Sequence, residues 1–370
     1  MNKITTALDP ASSMCGIEAL LDLVDGRSFF FASTYRSLLC GGLRAVPANH
    51  TNRLVVGALP FDASNDAFLL APSWQYEAAQ SAVAARPMAP LPLRIVGDQP
   101  TRYRDQVREA LALIEASALR KVVLSRCLDI EVDGTPDLPA VLSRMLAVNG
   151  AGLTFAAPDG EGGVLIGASP ELLVRREGLR ITSNPLAGSL PRAADPVEDA
   201  EQRAALLRSA KNRREHALVV EAVTDILRPY CTALQVPAEP SAIATPTVWH
   251  LSTRITGTLA DPTVTALQLA RALHPTPAVC GTPREAAQRA IAAIEGRSRG
   301  LYAGLVGWCD ADGDGEWAVT LRCAEIRGRR LRLHAGAGIV LGSDPTAELA
   351  ETDAKFRTML AVLGLAEAVS

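Results

Sequence analysis

The sequence predicts an α+β protein: a large, mostly antiparallel β core of two packed sheets, surrounded by helices. Three observations carry that prediction. Apolar strand-like runs follow one another across short turns near the end of the chain, a pattern of antiparallel pairing and not of regular βαβ alternation. Segments with apolar residues at helical spacing interrupt those runs. Of 370 residues, 48% are hydrophobic, enough to bury a sizeable core.

Taken in order, residues 101–118 carry Val107, Ala110, Leu111 and Ile114 on one helical stripe. Further helices are predicted over 198–228, 263–273, 283–295 and 346–364. Strands are predicted over 121–128, 163–167, 172–175, 301–308, 317–324 and 331–340, where apolar residues run between turn signals. Residues 85–100, with prolines at 87, 90, 92 and 100, read as an extended connector. Dense apolar patterning on both sides of it predicts a single domain over 1–370.

Lys plus Arg total 37 and Asp plus Glu 40, a formal net charge of -3. No global positive field favours nucleic acid or an anionic membrane, so an anionic ligand must be held by local groups. The cysteines at 15, 40, 127, 231, 280, 309 and 323 form no CxxC, and their number is odd. Free thiols in a reducing compartment are the expectation. The opening Met-Asn-Lys-Ile-Thr-Thr lacks a signal peptide's apolar run, and no stretch reaches the roughly 18 apolar residues of a membrane span. A soluble, cytoplasmic protein is expected, which would leave the sequon at Asn49 unused.

Some motifs are discounted. Asp310-Ala-Asp-Gly-Asp-Gly315 resembles the start of a calcium loop, but its twelfth position is Leu321 where a bidentate Glu is needed, so a hairpin turn is expected. Gly336-Ala-Gly338 is not GxGxxG, and no helix follows immediately.

Polar groups in apolar surroundings are more informative. Glu215 shares a helical stripe with Leu218, Val219, Ala222, Val223 and Ile226. A carboxylate there is costly unless it binds metal, pairs with a cation or reaches solvent. Glu348, Glu351 and Lys355 share one face of the last helix, which suits either a hard cation or a helix-dipole and ion-pair arrangement. Lys121 opens an apolar strand, and Glu171 follows Ser169-Pro170 between two apolar runs; each is either solvated or functional.

Together these stretches resemble the chorismate-utilising enzymes, a family that includes isochorismate, salicylate, anthranilate and aminodeoxychorismate synthases. The matches are Lys121-Val-Val-Leu-Ser-Arg126, Gly167-Ala-Ser-Pro-Glu171, Ser183-Asn-Pro-Leu-Ala-Gly188-Ser189, Arg214-Glu215-His216, Val248-Trp-His250-Leu, His274-Pro-Thr-Pro277, Gly307-Trp-Cys, Thr320-Leu-Arg322-Cys, Ala335-Gly-Ala-Gly338 and Glu348-Leu-Ala-Glu351-Thr. They stand in family order over residues 96–366. Residues 1–95 match less strongly, although Phe29 to Arg36 resembles siderophore-type isochorismate synthases.

The resemblance implies a Mg2+ ion held by Glu215 and Glu351, with Glu348 beside them. It implies Lys121 as the base that activates water for attack on ring carbon 2 of chorismate, and Glu171 as the acid that protonates the hydroxyl leaving carbon 4. A free lysine near ~10.4 and a free glutamate near ~4.3 start on the wrong sides for these roles, and burial corrects both. Arg322 and Tyr302 are implied to grip the enolpyruvyl carboxylate, with Gly336 and Gly338 close by. Gly188 and Ser189 would adjoin the ring carboxylate, Lys355 would add positive charge, and His250 and Ala278 would face the substrate. His216 and His274 are expected to be structural. Ala187 stands where aminodeoxychorismate synthases carry a nucleophilic lysine, and Asn212 where some relatives carry a glutamate. Isochorismate release is expected, with salicylate synthesis and non-catalytic chorismate binding as the alternatives. A monomer supplying a siderophore pathway through 2,3-dihydroxybenzoate, with an isochorismatase as pathway partner, completes the expectation.

Overall fold

The computed structural model describes residues 16–365 apart from 48–52, 66, 80, 90 and 151. Cys15 and the Asn49 sequon lie outside the described residues. Among the described residues, two large antiparallel sheets, of ten and nine strands, form the scaffold, accompanied by a three-stranded sheet. Strands before residue 80 complete both large sheets: Phe29–Ala32 pairs with Leu153–Pro158, and Val55–Leu59 pairs with Leu305–Cys309.

Period-two alternation sorts the side chains. Phe29 and Phe31 enter a core cluster shared with Val56, Leu69, Trp308 and Trp317 of the other sheet. Phe30 and Ala32 turn the opposite way, into a second cluster roofed by the helices Ile17–Asp22, Leu138–Val148 and Pro345–Val362. The Ala266–Leu273 helix, opened by a Thr265/Gln268 capping box, lies against Leu172–Glu177 and Gly315–Val319 of the nine-stranded sheet.

The structure corrects three elements. The predicted helix 198–228 is two, Pro196–Arg208 and Ala210–Leu227. Ser209 breaks it because its backbone turns extended, at ψ 112°, while its side chain caps the second helix, accepting from Asn212 N–H at 3.3 Å. The predicted strand 301–308 begins only at Leu305, after a turn in which Ala303 has φ 57°. The predicted strand 317–324 is two strands in different sheets, Gly315–Val319 in the nine-stranded and Cys323–Arg327 in the ten-stranded. Their junction contains Arg322 at φ 46°. The connector 85–100 also contains a strand, Leu93–Gly97, paired with Lys121–Val132. The Asp310 segment is a turn between two paired strands, in which Asp310 Oδ1 accepts from the N–H groups of Asp312 and Asp314.

Among the described residues no helix is long and apolar enough to cross a membrane. Cys40, Cys127, Cys231, Cys280, Cys309 and Cys323 carry free thiols.

A buried ion pair ties these layers together. Glu295 ends the Arg284–Glu295 helix and meets Arg299 at 2.5 and 3.0 Å. Glu295 Oε1 also accepts from Ser125 N–H at 2.8 Å, while Arg299 donates to the Val123 and Val279 carbonyls at 2.7 and 2.8 Å. Both side chains are essentially inaccessible. Burial works against the charged carboxylate, but Arg299 outweighs it and holds Glu295 below the usual carboxylate range. Glu295→Ala strands a buried guanidinium and is expected to cost about 3–5 kcal/mol. Urea unfolding checks this, and a shift below about 1 kcal/mol, as for an exposed pair, would refute it.

Candidate active site

The chain passes between the two large sheets several times, and two of those junctions feed one pocket. Val164–Ser169 belongs to the ten-stranded sheet and Leu172–Glu177 to the nine-stranded one, so Glu171 sits at the crossing. Arg322 sits at the return crossing described above. The pocket between them encloses about 660 Å³, counting its mouth. Ala303 and Arg322, the two non-glycine residues with positive φ among the described residues, both line it. Such backbone strain costs roughly 1–3 kcal/mol per residue and gathers where function over-determines the structure.

Lys121 begins the Lys121–Val132 strand and is fully buried. Its Nζ lies 2.9 Å from Glu215 Oε1 but makes no aligned hydrogen bond. Glu215 reaches it from the Ala210–Leu227 helix because Gly338, on the neighbouring strand, has no side chain. A Cβ at Gly338 would stand 2.2 Å from Glu215 Oε1 and 3.0 Å from Lys121 Cε.

Glu171 is 2% exposed, and its Oε1 has no hydrogen-bond partner. Burial pushes its carboxyl up to about 8, against the opposing pull of the Leu186 N–H, Lys121 and Arg322. At neutral pH this is a protonated acid facing the pocket.

Three side chains form a chain across the pocket wall. Arg322 Nη2 donates to His250 Nε2 at 2.8 Å, and His250 Nδ1 lies 2.8 Å from Ser189 Oγ. Burial, Arg322 and Lys355 keep His250 neutral, well below its ordinary pKa. Arg322 can only donate, so Nε2 carries the lone pair and Nδ1 the proton. Nδ1 therefore donates to Ser189, and the serine hydroxyl proton stays free for a pocket ligand. Gly188 precedes it at φ 77°, a left-handed backbone that glycine adopts without strain, with the Asn212 backbone close behind.

The three glutamates expected around a metal each meet a lysine. Glu215 meets Lys121, Glu351 meets Lys355 Nζ at 2.5 Å, and the buried Glu348 meets Lys211 Nζ at 2.7 Å. Glu215 and Glu351 line the pocket, whereas Glu348 stands behind it. Burial and the nearby Glu351 raise the Glu348 carboxyl above the usual range, with Lys211 opposing. Among the described residues, no three Asp, Glu, His or Cys side chains converge into a closed metal cage. Lys355 also donates to the Gly336 carbonyl at 2.7 Å, and a Cβ at Gly336 would crowd the Tyr302 hydroxyl at 2.9 Å. Tyr302, Ala278, Gly336, Gly338 and Lys355 all line the pocket. His216 Nε2 meets Thr253 Oγ1 at 2.7 Å, and His274 Nε2 contacts the Pro60 and Phe61 carbonyls at 3.1 Å, both away from the pocket.

The chorismate binding enzyme family matches residues 56–364. The chain belongs to that family. Isochorismate synthase DhbC of Bacillus subtilis (strain 168) is 44% identical, over 94% of this chain and 96% of its own. The vibriobactin-specific isochorismate synthase of Vibrio cholerae is also 44% identical, over 94% of each chain. The crystal structure of DhbC from Bacillus anthracis aligns with a TM-score of 0.88 at 44% identity, covering 94% of this chain and 99% of that one.

Sequence reasoning missed three neighbours in this chorismate binding enzyme. Lys211, one helical turn before Glu215, was legible from its spacing as a partner on that face. The Leu186 N–H that bonds Glu171 carries no side-chain signal. His334 lines the pocket on a strand where alternation alone marks it as one polar residue among several. Gly338→Ala forces the Lys121–Glu215 contact apart and is expected to destabilise the fold by about 1–3 kcal/mol. A thermal melt unchanged from the parent chain would show that this approach is not tight.

Proposed function

We propose that the chain is an isochorismate synthase that isomerises chorismate to isochorismate with Mg2+, as a cytoplasmic monomer supplying a siderophore pathway through 2,3-dihydroxybenzoate. One observation carries the reading. Lys121 Nζ and Glu171 Oε1 are buried polar atoms of opposite acid–base character without aligned partners: Glu171 lines the pocket, and Lys121 stands directly behind its lining residues Glu215 and Gly338. Structural residues seldom leave such atoms unsatisfied, and catalytic ones do so routinely.

In this reading Lys121 takes a proton from water as its oxygen bonds to ring carbon 2. The ring double bonds shift, and Glu171 gives its proton to the hydroxyl that leaves carbon 4. One water enters and one departs, so the substrate is isomerised without a redox change. Arg322, oriented by its bond to His250, and Tyr302 hold the enolpyruvyl carboxylate. The free Ser189 proton and the Gly188 backbone meet the ring carboxylate.

Glu215 and Glu351 suit a hard divalent cation: their donors are all oxygen, and the like charges around Glu348 and Glu351 would be relieved by it. Mg2+ characteristically uses one or two protein carboxylates and fills its remaining positions with water and substrate oxygens. Bound there, it would supply electrostatic stabilisation at the ring carboxylate.

The test incubates purified protein with chorismate and Mg2+ and separates the products by chromatography. Isochorismate is expected, with Lys121→Ala and Glu171→Gln each reducing the rate by about 10²–10⁴-fold. A chelator should stop turnover, and added Mg2+ should restore it. Salicylate with pyruvate would replace this reading by a lyase, and chorismate bound but unchanged would replace it by a binding protein.

The pH profile supplies a separate check. Glu171 must hold its proton to act as acid, so the high-pH limb of kcat/KM is expected to fall as pH rises through about 8. Chorismate turnover that stayed flat through this range would assign the acid to another group.

A further inference from the structure

A second set of reactive side chains lies along the strand that begins with Lys121. Alternation puts Lys121, Val123, Ser125 and Cys127 on one face, and pairing places Gly338, Gly336 and His334 opposite the last three. Cys127 Sγ sits 3.3 Å from His334 Nδ1. The other ring nitrogen, Nε2, faces Glu325 Oε1 at 3.3 Å, a charge contact more than an aligned hydrogen bond. Thiol, imidazole and carboxylate in that order form an activated sulfur nucleophile. The carboxylate keeps the ring proton on Nε2 and leaves Nδ1 to take the thiol proton.

The thiol is reachable. Cys40, Cys280, Cys309 and Cys323 are buried, but Cys127 is half-buried and opens on a cleft of about 750 Å³, counting its mouth. Arg102, Arg126, Arg297 and Arg332 line that cleft. Arg126 is paired with Asp98 and Asp353, and Arg332 with Asp129. In the described hydrogen bonds Arg102 donates to Gln99 Oε1 and the Glu295 carbonyl, and Arg297 to the carbonyl and hydroxyl of Ser125. Asp98, Asp129 and Glu295 also line the cleft, with Arg297 acting on Glu295, so four guanidiniums face three carboxylates and one net positive charge is left for an anionic reagent. On its other side, the His334 ring stacks on Tyr302 at 4.6 Å with an interplanar angle of 10°, and both residues line the chorismate pocket.

We propose that Cys127, activated by His334 and Glu325, is a modification site for small anionic disulfides, and that its modification shifts His334 and so disturbs Tyr302. The Cys127 sulfur attacks one sulfur of the disulfide while His334 Nδ1 takes the thiol proton. A new S–S bond forms, the reagent's S–S bond breaks, and the departing thiolate receives the proton from His334. The coupling to the pocket rests on the function proposed above; the modification does not.

The test treats the full chain with oxidised glutathione and maps the adducts by peptide mass spectrometry. Cys127 is expected to be labelled well before the half-buried Cys231, reversibly by a reductant. His334→Gln should slow labelling by roughly 10²-fold, the low end for a positioned base, with circular dichroism confirming the fold. Glu325→Gln should slow it less. Arg297→Gln should slow oxidised glutathione but not a neutral disulfide. Cys127→Ser should take no label at that position and keep its chorismate turnover after treatment, whereas the parent chain loses turnover in step with labelling. Equal labelling of Cys127 and Cys231, or no effect of His334→Gln and Glu325→Gln, overturns the site. Complete labelling with full turnover overturns the coupling alone.

Discussion

The geometry of the pocket depends on the buried pair of Glu295 and Arg299. Taking two such charges out of water is expensive, and the hydrogen bonds around them offset that cost. Those bonds end on the Val123 carbonyl, the Ser125 N–H and the Val279 carbonyl. Two of the three anchor points lie two and four residues beyond Lys121 on its own strand, and the third adjoins Ala278. The pair therefore fixes where the lysine stands relative to the loop across the pocket. Pairing passes this placement to the next strand, where Val123 and Ser125 face Gly338 and Gly336. A charge cluster outside the reaction centre thus sets the position of the groups inside it.

The second constraint is topological. A chain leaving one sheet for another must break its ladder, and its backbone groups then seek partners elsewhere. At the two crossings the Ala168 N–H bonds the Arg322 carbonyl at 3.0 Å and the Val319 N–H bonds the Glu171 carbonyl at 3.2 Å. Each crossing thereby holds the other. Glu171 and Arg322 are buried together where the sheets meet, and it is burial that makes an acid of one and drives the other to bond a neutral imidazole.

Much of this architecture was legible in the sequence. The long helices and most strands follow from spacing, because each shows one apolar face to a core. The errors fall where an element bends to serve another. Ser209 looked like one more helical residue, and its capping role depends on the chain having already turned. Arg322 reads as part of a strand because nothing in an arginine announces a left-handed backbone. The stripe containing Glu215 marked a buried carboxylate, but its partner Lys121 is distant in sequence and was joined to it by resemblance. Lys211 shares a face with Glu215 in one helix, but its partner Glu348 lies on another; His334 went unnoticed because periodicity describes one element at a time, while a pocket is assembled from several.

The longest ladder among the described residues has a consequence for how such an enzyme changes over time. The strand Arg330–Val340 pairs with Lys121–Val132 along all eleven of its residues, and two of the pocket glycines, Gly336 and Gly338, lie within that stretch. A slip by one residue would turn every side chain to the opposite face. Intermediate registers are thus closed to gradual drift, and the glycines stay opposite the segment that carries the lysine. New specificity is more easily written in the turns at the pocket mouth, where no ladder register has to be kept.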